Sequence, residues 1–148
     1  MVTRAVVVLG LFGCAYNGGS YAGFTGKLVQ LGGCLDIGVA MASDERATGR
    51  VVHYEIGNGC WEPAVVDLAS VRAYTTDGGV RRQLHAYDPR RELRPLRVEP
   101  KWSGDESIEY VDDLGDLPAT ICIDIGGLDR SAPPTGEHWV CLAHGGAS

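Results

Sequence analysis

The chain has few basic and few aromatic residues, and its one marked apolar segment is too short to cross a membrane. Its 148 residues include 13 Lys and Arg against 19 Asp and Glu, a formal charge of −6, and aromatic residues make up 7%. A general nucleic-acid binder needs a basic face for phosphate contact, so this balance argues against one. The apolar segment, Ala5 to Gly13, has nine residues, whereas a transmembrane helix needs about 20.

Motifs of metal and redox sites are also missing. The chain contains no Cys-x-x-Cys pair and no His-Glu-x-x-His motif, which argues against zinc and thioredoxin-like sites. Its histidines are predicted to be ordinary surface or half-buried residues, with a metal site as the alternative; they are His53, His85, His138 and His144. No nucleophile can be matched with a base. We therefore expect no catalytic residue, no metal and no cofactor, and an enzyme is the third-ranked class.

Glycine is abundant, and it favours strands and turns over long helices. The chain has 21 glycines, about twice the average usage, and glycine destabilises helix interiors. Strands are predicted over 64–74, 80–87 and 107–111, with an irregular or edge segment at 93–98. Together with two hairpins, these segments predict an all-β fold, an antiparallel β-sandwich that is immunoglobulin-like in a broad sense and has seven to eight strands.

A first hairpin is predicted around the polar turn 44–49. Apolar residues alternate on both sides of this turn, and they match when paired residue numbers sum to 93, as for Ile37 with Ile56. The residue numbers of Cys34 and Cys60 sum to 94, so this pair is offset from the apolar register by one residue. Because glycine favours β-bulges, an extra residue at Gly57-Asn58-Gly59 would correct the offset, so we predict a Cys34–Cys60 disulfide.

The last two predicted strands match in the same way. Ile121 meets Leu142 when paired numbers sum to 263, and Cys122 then meets Cys141 on the opposite face. Since cross-strand partners share a face, the apolar and cysteine registers agree and predict a second disulfide.

Two alternatives stay open for this region. A Cys60–Cys122 bridge would link two sheets, and all four cysteines could instead be free buried thiols. Trp139 shares the predicted face of the Cys122–Cys141 pair. It is expected to pack on the disulfide if that face is covered, and to anchor an interface if the face is exposed.

The first fourteen residues have the pattern of an export signal, with one basic residue, a short apolar core and a small residue before a cysteine. The sequence Leu11-Phe12-Gly13-Cys14 resembles the lipobox of bacterial lipoproteins. The resemblance implies a signal peptide over 1–13, lipidation of Cys14, and a location in the cell envelope, in the periplasm or at the outer membrane. A flexible tether is then expected over 14–30 and the sandwich domain over 31–148. The alternative is a buried first strand.

Charge is unevenly distributed along the second half of the chain. The segment 81–101 is basic, and the segment 102–129 carries eight acids and no base. We expect these segments to form solvated surfaces that attract each other, or the basic one to bind an anionic glycan, lipid head group or acidic protein. A calcium site built from Glu109, Asp112, Asp113 and Asp116 is a further alternative. The residues of the candidate anion-binding patch are Arg81, Arg82, Arg90, Arg91, Arg94, Arg97 and Lys101.

These features predict a non-catalytic, lipid-anchored envelope protein that acts as a binding or structural module. The expected partner is an envelope protein or an anionic glycan or lipid, with the membrane reached through the anchor. The alternative is an inhibitor or accessory subunit of an envelope enzyme or assembly, which would present the 88–101 segment or the 126–137 loop.

Overall fold

The computed structural model describes residues 15–21 and 23–145. The predicted leader 1–13 and the lipidation site Cys14 lie outside this part of the chain. No helix of the described ranges has the length and apolar character needed to cross a membrane. Ten strands are present there: β1 (Lys27–Leu31), β2 (Leu35–Ala42), β3 (Arg50–Asn58), β4 (Ala64–Val66), β5 (Arg72–Thr75), β6 (Arg82–Ala86), β7 (Leu96–Val98), β8 (Ser103–Asp112), β9 (Thr120–Asp124) and β10 (Trp139–Ala143).

Eight of the strands form one antiparallel sheet in the order β1-β2-β3-β8-β6-β5-β9-β10. This sheet curls until β10 contacts β2, so it is nearly closed. Strands β4 and β7 pair separately as a small second sheet. The expected all-β antiparallel fold is confirmed, in a form between a sandwich and a barrel.

The strand count exceeds the expected seven to eight because β1 lies in the expected tether and because the segment 64–74 does not form one strand. It divides into β4, a 3₁₀ turn at Leu68–Ser70, and β5. The turn buries Leu68 and ends where Val71 returns to an extended conformation. This turn separates β4, which belongs to the small sheet, from β5, which belongs to the large one.

The first hairpin has the predicted register, with Ile37 opposite Ile56, and the Cys34–Cys60 disulfide is present with a Cα–Cα distance of 5.1 Å. The predicted bulge at 57–59 is wrong. Regular pairing continues to the end of β3, and the N–H of Gly59 then donates to the carbonyl of Cys34 at 2.9 Å. Cys60 lies one residue further on, so the one-residue offset between Cys34 and Cys60 is accommodated by the turn that follows β3.

The last hairpin confirms the second register. Cys122 lies opposite Cys141 and Ile121 opposite Leu142, and the Cys122–Cys141 disulfide joins Cα atoms 4.0 Å apart. Ile121 and Leu142 are 0% and 6% exposed. The apolar face therefore belongs to the core, and the disulfide lies on the other side of the sheet.

The flexible tether expected over 14–30 is wrong for its described part. Strand β1 belongs to the large sheet, and the N–H of Tyr16 donates to the carbonyl of Lys101 at 2.6 Å. The Tyr16 side chain is buried, and its hydroxyl donates to the carboxylate of Asp36, which is also buried. The folded domain thus begins before residue 31, because this aromatic side chain is enclosed by the sheet.

Candidate ligand-binding surface

The predicted basic segment does not form one patch, because its two ends lie at opposite ends of β8. The Lys101 ammonium donates to the carbonyl of Gly59, just before β8 begins. Arg82 pairs with Asp112 at 2.8 Å, where β8 ends, and with Asp116 at 3.6 Å. A ten-residue strand spans roughly 30 Å. The expected attraction between the basic and acidic segments is confirmed at the Arg82 end.

The remaining bases lie between these ends. Arg90 and Arg94 line a surface groove of about 540 Å³ together with Leu93, and a neighbouring arginine, Arg91, occupies the left-handed region with φ 53°. Arg97 pairs with an acid two residues away. The groove is therefore the part of the segment where exposed arginines gather.

The acids of the calcium alternative have other partners. Glu109 accepts the backbone N–H groups of Thr48 and Gly49 at 2.7 and 2.6 Å. Asp112 and Asp116 face Arg82, and Asp113 lies 3.6 Å from a histidine. Within residues 15–21 and 23–145, no group of three or more His, Cys, Asp or Glu residues is placed to hold a metal ion.

The histidines are spread over the surface. His53 lies 2.9 Å from the hydroxyl of Ser107, and His85 is the histidine beside Asp113. His138 and His144 are exposed at either end of β10. The structure therefore assigns them no shared site.

A different surface gathers aromatic and arginine side chains on the outer face of β5, β6, β9 and β10. One row across these strands runs Gln83, Tyr74, Cys122 and Cys141. The neighbouring row runs Arg72, Asp124 and Trp139. Inward residues alternate with these and are buried, so the row residues point outward. We call this region the Trp139 surface and define it as Arg72, Tyr74, Arg81, Gln83 and Trp139, which line a depression of about 270 Å³.

Its centre is a stack of cations on aromatic rings. The Arg81 guanidinium carbon lies 3.9 Å from the centroid of the Tyr74 ring and 5.5 Å from that of Trp139. The two rings meet edge to face at 4.8 Å, a favourable arrangement for aromatic pairs. Arg72 also lies 5.5 Å from the Trp139 ring. The disulfide of the adjacent row fixes β9 to β10 beneath this stack.

The two arginines differ in their electrostatic partners. Arg72 pairs with Asp124, and it lies 3.3 Å from Glu137, so the pKa of its guanidinium is raised, first by the hydrogen bond to Asp124. Burial alone would raise the pKa of Asp124, but backbone donors from His138 and Gly126, with Arg72, lower it. Arg72 is thus neutralised by its neighbours.

Arg81 is different because no ion pair of the described residues includes it. It is exposed, and the Tyr74 ring covers one face of its plane. Stacking leaves the N–H groups in the guanidinium plane free to donate, and that fork matches a carboxylate or a phosphate. The surface can therefore hold an anionic group at Arg81 with an aromatic wall beside it.

Sequence reasoning identified Trp139 as an interface anchor if its face proved exposed, and placed Arg81 in a patch with residues that lie elsewhere. Trp139 is half-buried and Arg81 exposed. The missing element was Tyr74, which reaches the site only because β5 pairs with β9. Outward alternation along β5 was the available signal.

Comparison with other proteins adds no functional information. No protein-family model matches the chain, and no curated protein or solved structure has significant similarity to it. A fold alone does not specify a function, so the functional conclusion depends on the site itself.

Proposed function

We propose that this chain is a non-catalytic, lipid-anchored binding module of the cell envelope, and that the Trp139 surface holds an anionic group of its partner. The observation that carries the proposal is the exposed Arg81 guanidinium, which is held 3.9 Å over Tyr74 and forms no ion pair with any carboxylate of the described residues. A cation fixed in this way binds with little loss of side-chain freedom. The partner's chemistry is a carboxylate or phosphate on a glycan, a lipid head group or a protein.

The surroundings of Arg81 support recognition by shape as well as charge. Trp139 and Tyr74 are aromatic residues that pair at 4.8 Å, and aromatic residues with arginine are enriched where binding energy concentrates. A second depression of about 330 Å³ lies on the other side of Arg72, toward Glu137. Together they accommodate a group larger than one anion.

The proposal is tested by calorimetry with a uronic-acid oligosaccharide as the carboxylate probe, lipopolysaccharide as the phosphate probe and dextran as the neutral control. We expect one anionic probe to bind and dextran not to bind. Arg81→Ala should weaken binding by about tenfold or more, because a charge-assisted hydrogen bond contributes about 1.5–3 kcal/mol. Arg81→Lys should recover only part of the loss, since an ammonium lacks the planar fork.

Arg90→Ala is the matched control, since Arg90 is an exposed arginine of the groove outside the Trp139 surface. It should bind the probe like the unchanged protein. If Arg90→Ala weakens binding and Arg81→Ala does not, recognition belongs to the basic segment and the proposal for the Trp139 surface is wrong.

A further inference from the structure

One end of the large sheet exposes two tryptophans beside the point where the described chain begins. Trp61 is 82% exposed and Trp102 is 63% exposed. Between them lies Lys101, whose ammonium is 4.2 Å from the centroid of the Trp61 ring. The carbonyl of the same lysine accepts the N–H of Tyr16, so the first described residues enter the fold at this end.

The backbone around these tryptophans is well held. The N–H of Asn58 donates to the carbonyl of Trp102 at 2.9 Å, and the N–H of Lys101 donates to the carbonyl of Asn58 at 2.8 Å. The Cys34–Cys60 disulfide immediately precedes Trp61. The indole rings are therefore exposed on a crosslinked support, and their exposure does not come from a loose loop.

Exposed indoles on a rigid support need an explanation, because Trp is usually at least largely buried. Tryptophan concentrates at the membrane–water boundary, where the ring enters the apolar zone and its N–H remains near water. Lysine suits the same boundary, because its stem lies along apolar groups while its ammonium stays hydrated. These three residues have the chemistry of a bilayer-facing surface.

We propose that Trp61, Lys101 and Trp102 rest in the bilayer surface and set the orientation of the domain on the membrane. The inference rests on the proposed function, in which Cys14 carries the lipid. Two extended residues span at most about 7 Å, so a lipid attached two positions before Tyr16 enters the bilayer beside Lys101. The short connection and the docked Tyr16 together bring this end of the sheet to the membrane.

Quenching of tryptophan fluorescence by brominated lipid tests the inference. The full chain is purified from its native membranes and reconstituted into phosphatidylcholine vesicles with dibrominated acyl chains, which have no net charge that could recruit Arg81. Variants keep one tryptophan each, with the other two replaced by Phe. We expect Trp61 and Trp102 each to lose more than about half of their emission, since bromine quenches indoles within the boundary region. Trp139 is the matched control and should be quenched less than Trp61 and Trp102, because its ring is half-buried, contacts Tyr74 and lies outside the proposed membrane-facing surface.

Intact mass of the same preparation separates the possible failures. If the chain carries acyl mass and stays on the vesicles, but Trp61 and Trp102 are quenched no more than Trp139, the membrane-facing surface is wrong and the lipid-anchored module stands. If the mass shows no acyl group, the anchor is wrong and the orientation proposal falls with it. Thermal midpoints equal to that of the unchanged chain establish that Phe substitution has not altered the fold of any of the three variants.

Discussion

Substitution of Gly57 by Ala tests whether the N-terminal segment is a structural part of the domain. A Cβ atom at this position would lie 2.1 Å from Cζ of Tyr16 and 2.4 Å from its Cε1, far closer than carbon atoms approach. Gly57 belongs to β3 and pairs with Asp36, so its backbone has little freedom to move. The substitution must therefore displace the Tyr16 ring.

The expected decrease in the free energy of unfolding follows from the burial and the hydrogen bond that the Tyr16 side chain loses. Burial of an aromatic side chain contributes about 1.5–3 kcal/mol, and a hydrogen bond to a charged group contributes about 1.5–3 kcal/mol. Tyr16 is 6% exposed and donates to Asp36, so both contributions apply. Part of the loss is recovered as conformational freedom when the segment detaches. We therefore expect Gly57→Ala to lower the free energy of unfolding by about 3 kcal/mol.

Urea unfolding of four proteins measures this effect: the unchanged chain, Gly57→Ala, Tyr16→Ala and the double variant. Without the ring, Ala in a strand is neutral or more stable than Gly by about 0.5–1 kcal/mol, so the cost of Gly57→Ala should vanish in the Tyr16→Ala background. The same cost in both backgrounds would refute the reasoning. Gly127→Ala is the control, because a Cβ there meets no atom within 4 Å. Faster amide exchange at residue 16 should accompany Gly57→Ala.

Three further perturbations test a disulfide, a carboxylate and two phenols. Replacing both Cys122 and Cys141 by Ala should lower the free energy of unfolding by roughly 3 kcal/mol, because the bridge closes a loop with a sequence separation of 19; a loss below about 1 kcal/mol in urea unfolding would contradict the chain-entropy account. The pKa of Asp124 is lowered from its usual 3.8. The contribution of this carboxylate to the free energy of unfolding is therefore complete above pH 3.8, and it is lost as the pH falls through the lower pKa of the folded protein. Asp124→Asn should flatten the decline of urea midpoints below about pH 4, and an unchanged slope would exclude this contribution. Burial raises the pKa of Tyr16 and of Tyr110 to about 12. The contribution of these neutral phenols to the free energy of unfolding is therefore complete below about pH 10 and is lost as the pH rises toward 12. Absorbance titration at alkaline pH should show these phenols ionising late, and simultaneous ionisation of all tyrosines would contradict the burial.

Both hairpin registers could be predicted from the sequence because apolar alternation and cysteine positions constrain them independently. Ile37 opposite Ile56 and Cys122 opposite Cys141 follow from counting alone, since a slip by one residue would turn every side chain to the other face. The sequence could not show whether the extra residue before Cys60 lies within β3 or after it, because a bulge inside a strand and a turn that follows the strand have the same residue pattern.

The N-terminal segment and the Trp139 surface could not be predicted in the same way. The segment before residue 31 is rich in glycine and small polar residues, which is typical of a linker. Strand β1 had a local signal, the Gly32-Gly33 turn that joins it to β2, but the part before it is held by Tyr16 reaching Asp36, a contact over 20 residues. The Trp139 surface likewise combines Tyr74 of β5, Trp139 of β10 and Arg81, which directly precedes β6. Only the strand order brings these side chains together, and local patterns do not encode that order.

The two disulfides also determine how the domain responds to mechanical force. A pull on residue 15 would peel away the chain as far as Cys34, where the bridge to Cys60 passes the load directly to the following segment. The 26-residue separation it spans corresponds to about 90 Å of extended chain that carries no tension while the bridge is oxidised. The Cys122–Cys141 bridge removes a further 19 residues from the loaded path. Stretched from its ends, the oxidised protein should therefore extend in shorter steps than the reduced one, with β2 and β3 still paired.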